Sequence, residues 1–131
     1  MKKTCEYALV YAIGAVGYSI IEILWRGFTH WSMGITGGVC FLGFHVSETR
    51  HRGEPLIKKC LRGCSIITVA EFLVGCVVNI ALRLNVWDYS GMRFNILGQI
   101  CPFYSGLWFA LCIPMTFLSD GIRKIGARIK A

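Results

Sequence analysis

The fold is decided by residues 65–82, which read SIITVAEFLVGCVVNIAL. The stretch carries a single charged side chain, Glu71, among aliphatic and small residues. As a helix it would be about 27 Å long, close to the roughly 30 Å hydrocarbon core of a bilayer. A helix of a soluble protein would show a polar face over this length. The stretch therefore predicts a membrane-spanning helix.

Three other segments have the same apolar character. We predict helices over about 5–25, 31–46, 61–84 and 96–118, followed by a basic tail over 119–131. The second is close to the lower limit of about 17 residues for a span. Only 16% of the chain is charged, against about 25% in soluble domains. The sequence therefore predicts an all-α polytopic membrane protein, a four-transmembrane-helix bundle that forms one domain over residues 1–131.

The basic residues indicate the orientation of the bundle. All but Arg26, Arg83 and Arg93 of the 14 Lys and Arg residues fall on the side of the two termini. Because basic residues concentrate on the cytoplasmic side, we expect a multi-pass protein of the cell membrane with both ends inside and residues 84–94 outside. The net charge of +7 would then contact lipid headgroups rather than nucleic acid.

Two glutamates lie within predicted spans, where an ionisable group is costly. Glu71 shares a helix face with Asn79, so we expect that face to point into the bundle. Glu71 is either a neutral group bonded to a neighbouring helix or a site for a proton or cation, and we favour the second interpretation. Glu22 precedes Arg26 by one helical turn, which predicts an intrahelical ion pair. The alternative is that Glu22 faces the same cavity as Glu71.

Further polar residues surround the predicted fourth helix. Asn95 and Gln99 are four residues apart, so with Asn79 they would line a polar path at the start of that helix. The outer loop before them carries a compact motif made of Trp87, Asp88, Tyr89 and Ser90. Tryptophan and tyrosine are typical of the membrane interface, and Asp and Ser favour turns.

Several function classes lack their sequence signals. The seven cysteines do not form paired ligand spacings, so we expect neither a metal nor another cofactor. The sequence contains no phosphate-binding loop, no nucleophile elbow and no HExxH motif. We therefore do not expect this chain to hydrolyse ATP by itself.

Small residues predict close helix packing at two places. Gly34 and Gly38 form one small-xxx-small pattern, and Gly106 and Ala110 form another. Such patterns pack helices within one chain or between chains. We expect a homo-oligomer or a complex with another membrane or ATPase subunit, with one of the two patterns at the contact.

Residues 70–108 resemble a known family. The elements that carry the resemblance are Glu71-Phe72, Gly75, Asn79, Trp87-Asp88-Tyr89-Ser90 and Phe94-Asn95-Ile96-Leu97-Gly98-Gln99-Ile100-Cys101. They are similar to the family called Putative ABC-transporter type IV, also described as CmpB-like. The resemblance implies a permease-like membrane protein, and ATP would then be hydrolysed by another chain.

Three functional hypotheses follow. The first is a permease-like protein or transporter subunit. In it Glu22 and Glu71 would be charge or proton sites, and Asn79, Asn95 and Gln99 would be polar lining. Trp87, Asp88 and Tyr89 would then form an outer gate or brace. The second is a membrane-embedded enzyme acting on a lipid-like substrate through Glu71 and Asp88, and the third is a structural or regulatory membrane subunit.

Overall fold

The protein is described by a computed structural model that covers residues 3–51 and 53–130. Four helices account for most of this part of the chain: α1 (Lys3–Arg26), α2 (Trp31–Arg50), α3 (Leu56–Gly75) and α4 (Pro102–Lys130). A π-helical segment, Cys76–Ala81, continues α3. No strand occurs among these residues beyond one isolated bridge between Ile96 and Ile100. The predicted all-α four-helix fold is confirmed.

Three of the helices are long and apolar enough to cross a membrane: Lys3–Arg26, Leu56–Ala81 and Pro102–Ile129. Helix α2 does not belong to this group, because it carries more polar groups. Its Thr36, His45 and Glu48 side chains are all buried, so they face protein rather than lipid. The polar face of α2 is thus turned toward the other helices, as expected when polar groups at membrane depth must find partners inside the bundle.

Helices α1 and α2 pack antiparallel with their backbones close together. A Cβ atom added to Gly38 would lie 2.7 Å from the ring of Tyr11, and one added to Gly14 would lie 2.6 Å from the carbonyl oxygen of Gly37. Gly38 therefore packs inside the chain and is not free for a contact between chains. Gly106 meets nothing within 4 Å, so the second small-residue pattern remains on the exposed surface of α4.

The observed helices differ from the predicted ranges mainly at the end of the bundle that holds both termini. α2 continues to Arg50 rather than ending near 46, and α3 begins at Leu56 rather than near 61. Charged residues that were predicted to form a loop are helical, because they form ion pairs across the short connection between α2 and α3. Lys59 of α3, for example, lies 3.2 Å from the buried Glu48 of α2.

Helix α4 is also shifted along the chain. It begins at Pro102 rather than at 96, since proline is favoured at the first position of a helix, where no intrahelical N–H bond is lost. It continues without a break to Lys130, so the residues predicted as a basic tail form the last turns of this helix as far as the chain is described. Ile122 explains this, because it is buried against Phe44 and Val10 and anchors the last turns to the bundle.

Candidate functional site

An apolar groove lies among the four helices and is partly open to the surface. The cavity has a volume of about 190 Å³. Residues from every helix line it, including Ile13, Tyr18, Phe41, Ile67, Glu71, Trp108 and Met115. Glu71 is the single charged group among the lining residues described. The groove thus combines a hydrocarbon-like wall with one carboxyl group.

Glu71 is buried, with 3% of its surface exposed. The hydroxyl of Tyr89 donates to its Oε2 at 3.2 Å, and the indole Nε1–H of Trp108 donates to its Oε1 at 3.4 Å. One donor comes from the loop after α3 and the other from α4. The expectation that Glu71 faces the bundle and contacts other segments is confirmed.

Aromatic rings surround this carboxyl group. The rings of Tyr18 and Trp108 meet edge to face with centroids 5.7 Å apart. Tyr104 continues the series, 6.4 Å from Trp108, and stacks on Tyr89 at 4.5 Å with an interplanar angle of 7°. Offset and edge-on contacts of this kind stabilise aromatic pairs. The four rings therefore form one connected aromatic cluster beside Glu71.

Glu22 is not among the residues that line the groove. Its Oε2 is 2.7 Å from Nε of Arg26 on the same helix, as the spacing predicted. The Nη1 of Arg26 also donates to the backbone carbonyl of Val86 at 2.6 Å. Arg26 therefore links Glu22 and the end of α1 to the long loop between α3 and α4.

Asn79 and Gln99 meet and hold that loop against the end of α3. The Asn79 Nδ2–H donates to Gln99 Oε1 at 2.8 Å, and Asn79 Oδ1 accepts the backbone N–H of Val86 at 2.6 Å. The indole N–H of Trp87 donates to the carbonyl of Gln99 at 3.0 Å. The π-helical segment presents Asn79 to these partners. These residues brace the loop, and neither amide lines the groove.

The loop itself, residues 82–101, is irregular and not the start of a helix. Asn95 donates to the carbonyls of Ser90 and Met92 and accepts the N–H of Gly98, so its side chain closes the loop on itself. Gly98 adopts a φ of +71°, which favours glycine. The predicted polar stripe of Asn95 and Gln99 on a fourth helix is therefore wrong, because both residues lie in the loop and their side chains already have partners there and on Asn79.

The outer-loop motif divides into buried and exposed parts. Trp87 is buried, whereas Asp88 and Ser90 are exposed. Asp88 Oδ1 accepts the backbone N–H of Ser90 at 2.9 Å, and this hydrogen bond lowers the pKa of Asp88. Burial raises the pKa of Tyr89 above its usual value, so the phenol stays protonated and can donate to Glu71. Asp88 does not line the groove, whereas Glu71 does.

A second polar cluster, absent from the predictions, lies toward the opposite ends of the helices. His45 is fully buried; its Nδ1 is 2.6 Å from Ser119 Oγ and its Nε2 is 3.2 Å from Glu6 Oε2. Arg123 Nη2 donates to the same serine hydroxyl at 3.2 Å. The series links α1, α2 and α4. Ser119 is fully buried as well, so the arrangement suits a structural clamp or a proton relay better than attack on a substrate.

The adjacent charges form an ion-pair network. Glu48 lies 3.2 Å from Lys59 and 3.4 Å from Arg62, and Arg62 also pairs with Glu54. A signal for this cluster existed in the sequence. Phe41, Phe44, His45 and Glu48 follow helical spacing, which would have extended the second helix past 46.

The described residues contain no group of three or more His, Cys, Asp or Glu side chains placed to hold a metal ion. The functional groups in and beside the groove are the carboxyl group of Glu71, its two donors and the aromatic rings. These features define a helical membrane protein with one buried carboxyl group in an apolar groove.

The family model described as Putative ABC-transporter type IV matches residues 4–130, and the chain belongs to this family. The match covers both termini of the bundle as well as the outer-loop motif. No curated protein and no solved structure matches the chain.

Proposed function

We propose that this chain is a permease-like membrane subunit of a transport system, and that its groove holds the transported molecule at Glu71. The supporting observation is the position of Glu71, the single charged lining residue described in an apolar groove. A buried carboxyl group at membrane depth is costly, and apolar side chains would pack a purely structural bundle at lower cost. Binding of a solute would explain why a buried carboxyl group is kept in spite of its free-energy cost.

The surroundings of Glu71 support a site of fixed geometry. Tyr89 and Trp108 each donate a hydrogen bond to a different oxygen of the carboxyl group. Asn79 and Gln99 hold the loop that carries Tyr89, so they position Glu71 indirectly. A carboxyl group held from two sides can meet a ligand without first losing conformational freedom.

We propose that a partner chain hydrolyses the ATP that drives transport. The sequence lacks a phosphate-binding loop, and the family name points to transporters driven by ATP. We infer that an ATPase subunit associates with the side of the cell membrane that carries the basic residues. In the proposed orientation that side holds the ends of the helices near His45 and Glu48, where Lys59 and Arg62 pair with the buried Glu48.

The partner is tested by purification of the tagged chain from its native membranes in mild detergent. We expect an ATP-hydrolysing protein to co-purify and to keep its activity after transfer into nanodiscs. An unrelated multi-pass protein, tagged and purified in the same way, is the control for carried-over ATPases. Recovery of this chain with no ATP hydrolysis above the control would contradict the proposal.

A further inference from the structure

The charge balance of the groove restricts what can bind there. Glu71 is its one acidic group, and no Lys, Arg or His belongs to the lining residues described. Arg26 is engaged by Glu22 and by the carbonyl of Val86. An anion in the groove would face a carboxyl group with no compensating cation. The site therefore favours a positively charged or a neutral ligand.

The groove also presents aromatic surface next to the carboxyl group. Tyr18 and Trp108 both line it, and their rings are in direct edge-to-face contact. Trp108 additionally donates to Glu71, so ring and carboxyl group are adjacent. The faces of tryptophan and tyrosine attract cations, most strongly where water is excluded.

The hydrogen bonds already made by Glu71 decide which kind of cation fits. Both of its oxygens have a donor, from Tyr89 and from Trp108. The Thr36 hydroxyl, also in the lining, donates to the carbonyl of Ser32 in its own helix. A metal ion of the magnesium or calcium class requires about six oxygen ligands, and a primary ammonium requires three acceptors. A substituted ammonium requires few or none, and it is stabilised by charge and by ring faces.

We propose that the groove binds a hydrophobic organic cation, with a substituted ammonium group against Glu71, Tyr18 and Trp108. The apolar body of the ligand lies along Ile13, Phe41 and the other hydrocarbon side chains of the lining. The inference rests on the proposed function, for which it names the substrate class. The cavity of about 190 Å³ matches a cation with one aromatic ring or a short alkyl chain.

The test measures binding to the full chain in zwitterionic nanodiscs, with empty nanodiscs subtracted. The probes are benzyltrimethylammonium, its neutral isostere neopentylbenzene and the anion phenylmethanesulfonate. We expect the cation to bind at least about 10-fold more tightly than the neutral isostere. In Glu71→Gln the preference should shrink to within about 3-fold, since the charge is lost and the shape is kept.

A second pair of variants keeps Glu71 unchanged. Gly17 lines the groove and an added Cβ meets nothing within 4 Å, so Gly17→Trp places an indole in the cavity. Gly106 has the same open surroundings but does not line the groove, so Gly106→Trp is the matched control. Gly17→Trp should weaken cation binding at least about 10-fold, and Gly106→Trp should leave it unchanged.

Equal binding of the cation and the neutral isostere would overturn the substrate class, as would preference for the anion or failure of every probe to bind. In each of these cases an ATPase that still co-purifies would leave the assignment as a transport-system subunit standing. Cation binding without a co-purifying ATPase would instead support the site and contradict the transport system.

Discussion

Replacement of Asn79 by leucine should loosen the long loop from the bundle at a measurable cost. The change removes the acceptor for the N–H groups of Val86 and Trp87, at 2.6 and 3.3 Å, and the donor to Gln99 at 2.8 Å. Leucine has the same number and branching of side-chain heavy atoms, so little of the effect comes from a cavity. Each orphaned buried group costs about 1–3 kcal/mol.

Asn79 is half-buried, so water can replace part of what is lost, and each of the three groups should cost close to the lower value. We therefore expect the free energy of unfolding to fall by about 3 kcal/mol. The assay is reversible unfolding in mixed micelles of dodecyl sulfate, followed by circular dichroism. The control is Ser65→Ala, an exposed position whose hydroxyl bonds to Leu61 in the same helix, with an expected change under about 0.5 kcal/mol.

A double-mutant cycle then isolates the contact between the two amides. Asn79→Leu and Gln99→Leu share one hydrogen bond, so their combined effect should be smaller than the sum by about 1 kcal/mol. An Asn79→Leu variant as stable as Ser65→Ala, or a coupling energy near zero, would refute the loop-bracing role.

Three further predictions test packing, topology and pH. Gly38→Ala should destabilise the protein by about 1–3 kcal/mol, because the new Cβ would lie 2.7 Å from the Tyr11 ring, whereas Gly106→Ala, with open space, should not destabilise it in the same unfolding assay. A cysteine placed at Ser90, in a background without reactive native cysteines, should be labelled from outside the cell; labelling only from the cytoplasm would reverse the topology. Because the pKa of Asp88 is lowered in the folded protein, its contribution to stability should be present near neutral pH and lost as the pH falls below about 4 through that lowered pKa, so Asp88→Asn should flatten this part of the stability profile.

The apolar runs were enough to predict the bundle. Their length predicted an all-helical fold in which Glu71 is buried, and one-turn spacing predicted the Glu22–Arg26 pair. Both membrane-spanning length and one-turn spacing are local properties of the sequence. The four-residue spacing of Asn95 and Gln99 led to a wrong helix prediction because it, too, is only a local property. Helical spacing does not reveal that a side chain can be satisfied by its own loop, as that of Asn95 is.

The cluster around His45 could not be assembled from sequence because its partners are distant along the chain. His45 meets Glu6 of α1 and Ser119 of α4, and neither contact follows from local spacing. The aromatic wall of the groove is likewise nonlocal, since Tyr18 and Trp108 come from opposite ends of the chain. Local patterns thus predicted the elements, while the site depends on how the helices are arranged.

The central claim is that a cationic solute occupies the groove at Glu71, and photolabelling tests it most directly. A trimethylammonium probe carrying an aryl diazirine is irradiated with the protein in nanodiscs, and the labelled residues are located by mass spectrometry. We predict labels on the groove faces of α1 and α4, near Tyr18 and Trp108, and their loss in Glu71→Gln. Labels confined to outward residues such as Leu73 and Phe117, or a pattern that Glu71→Gln leaves unchanged, would contradict the claim.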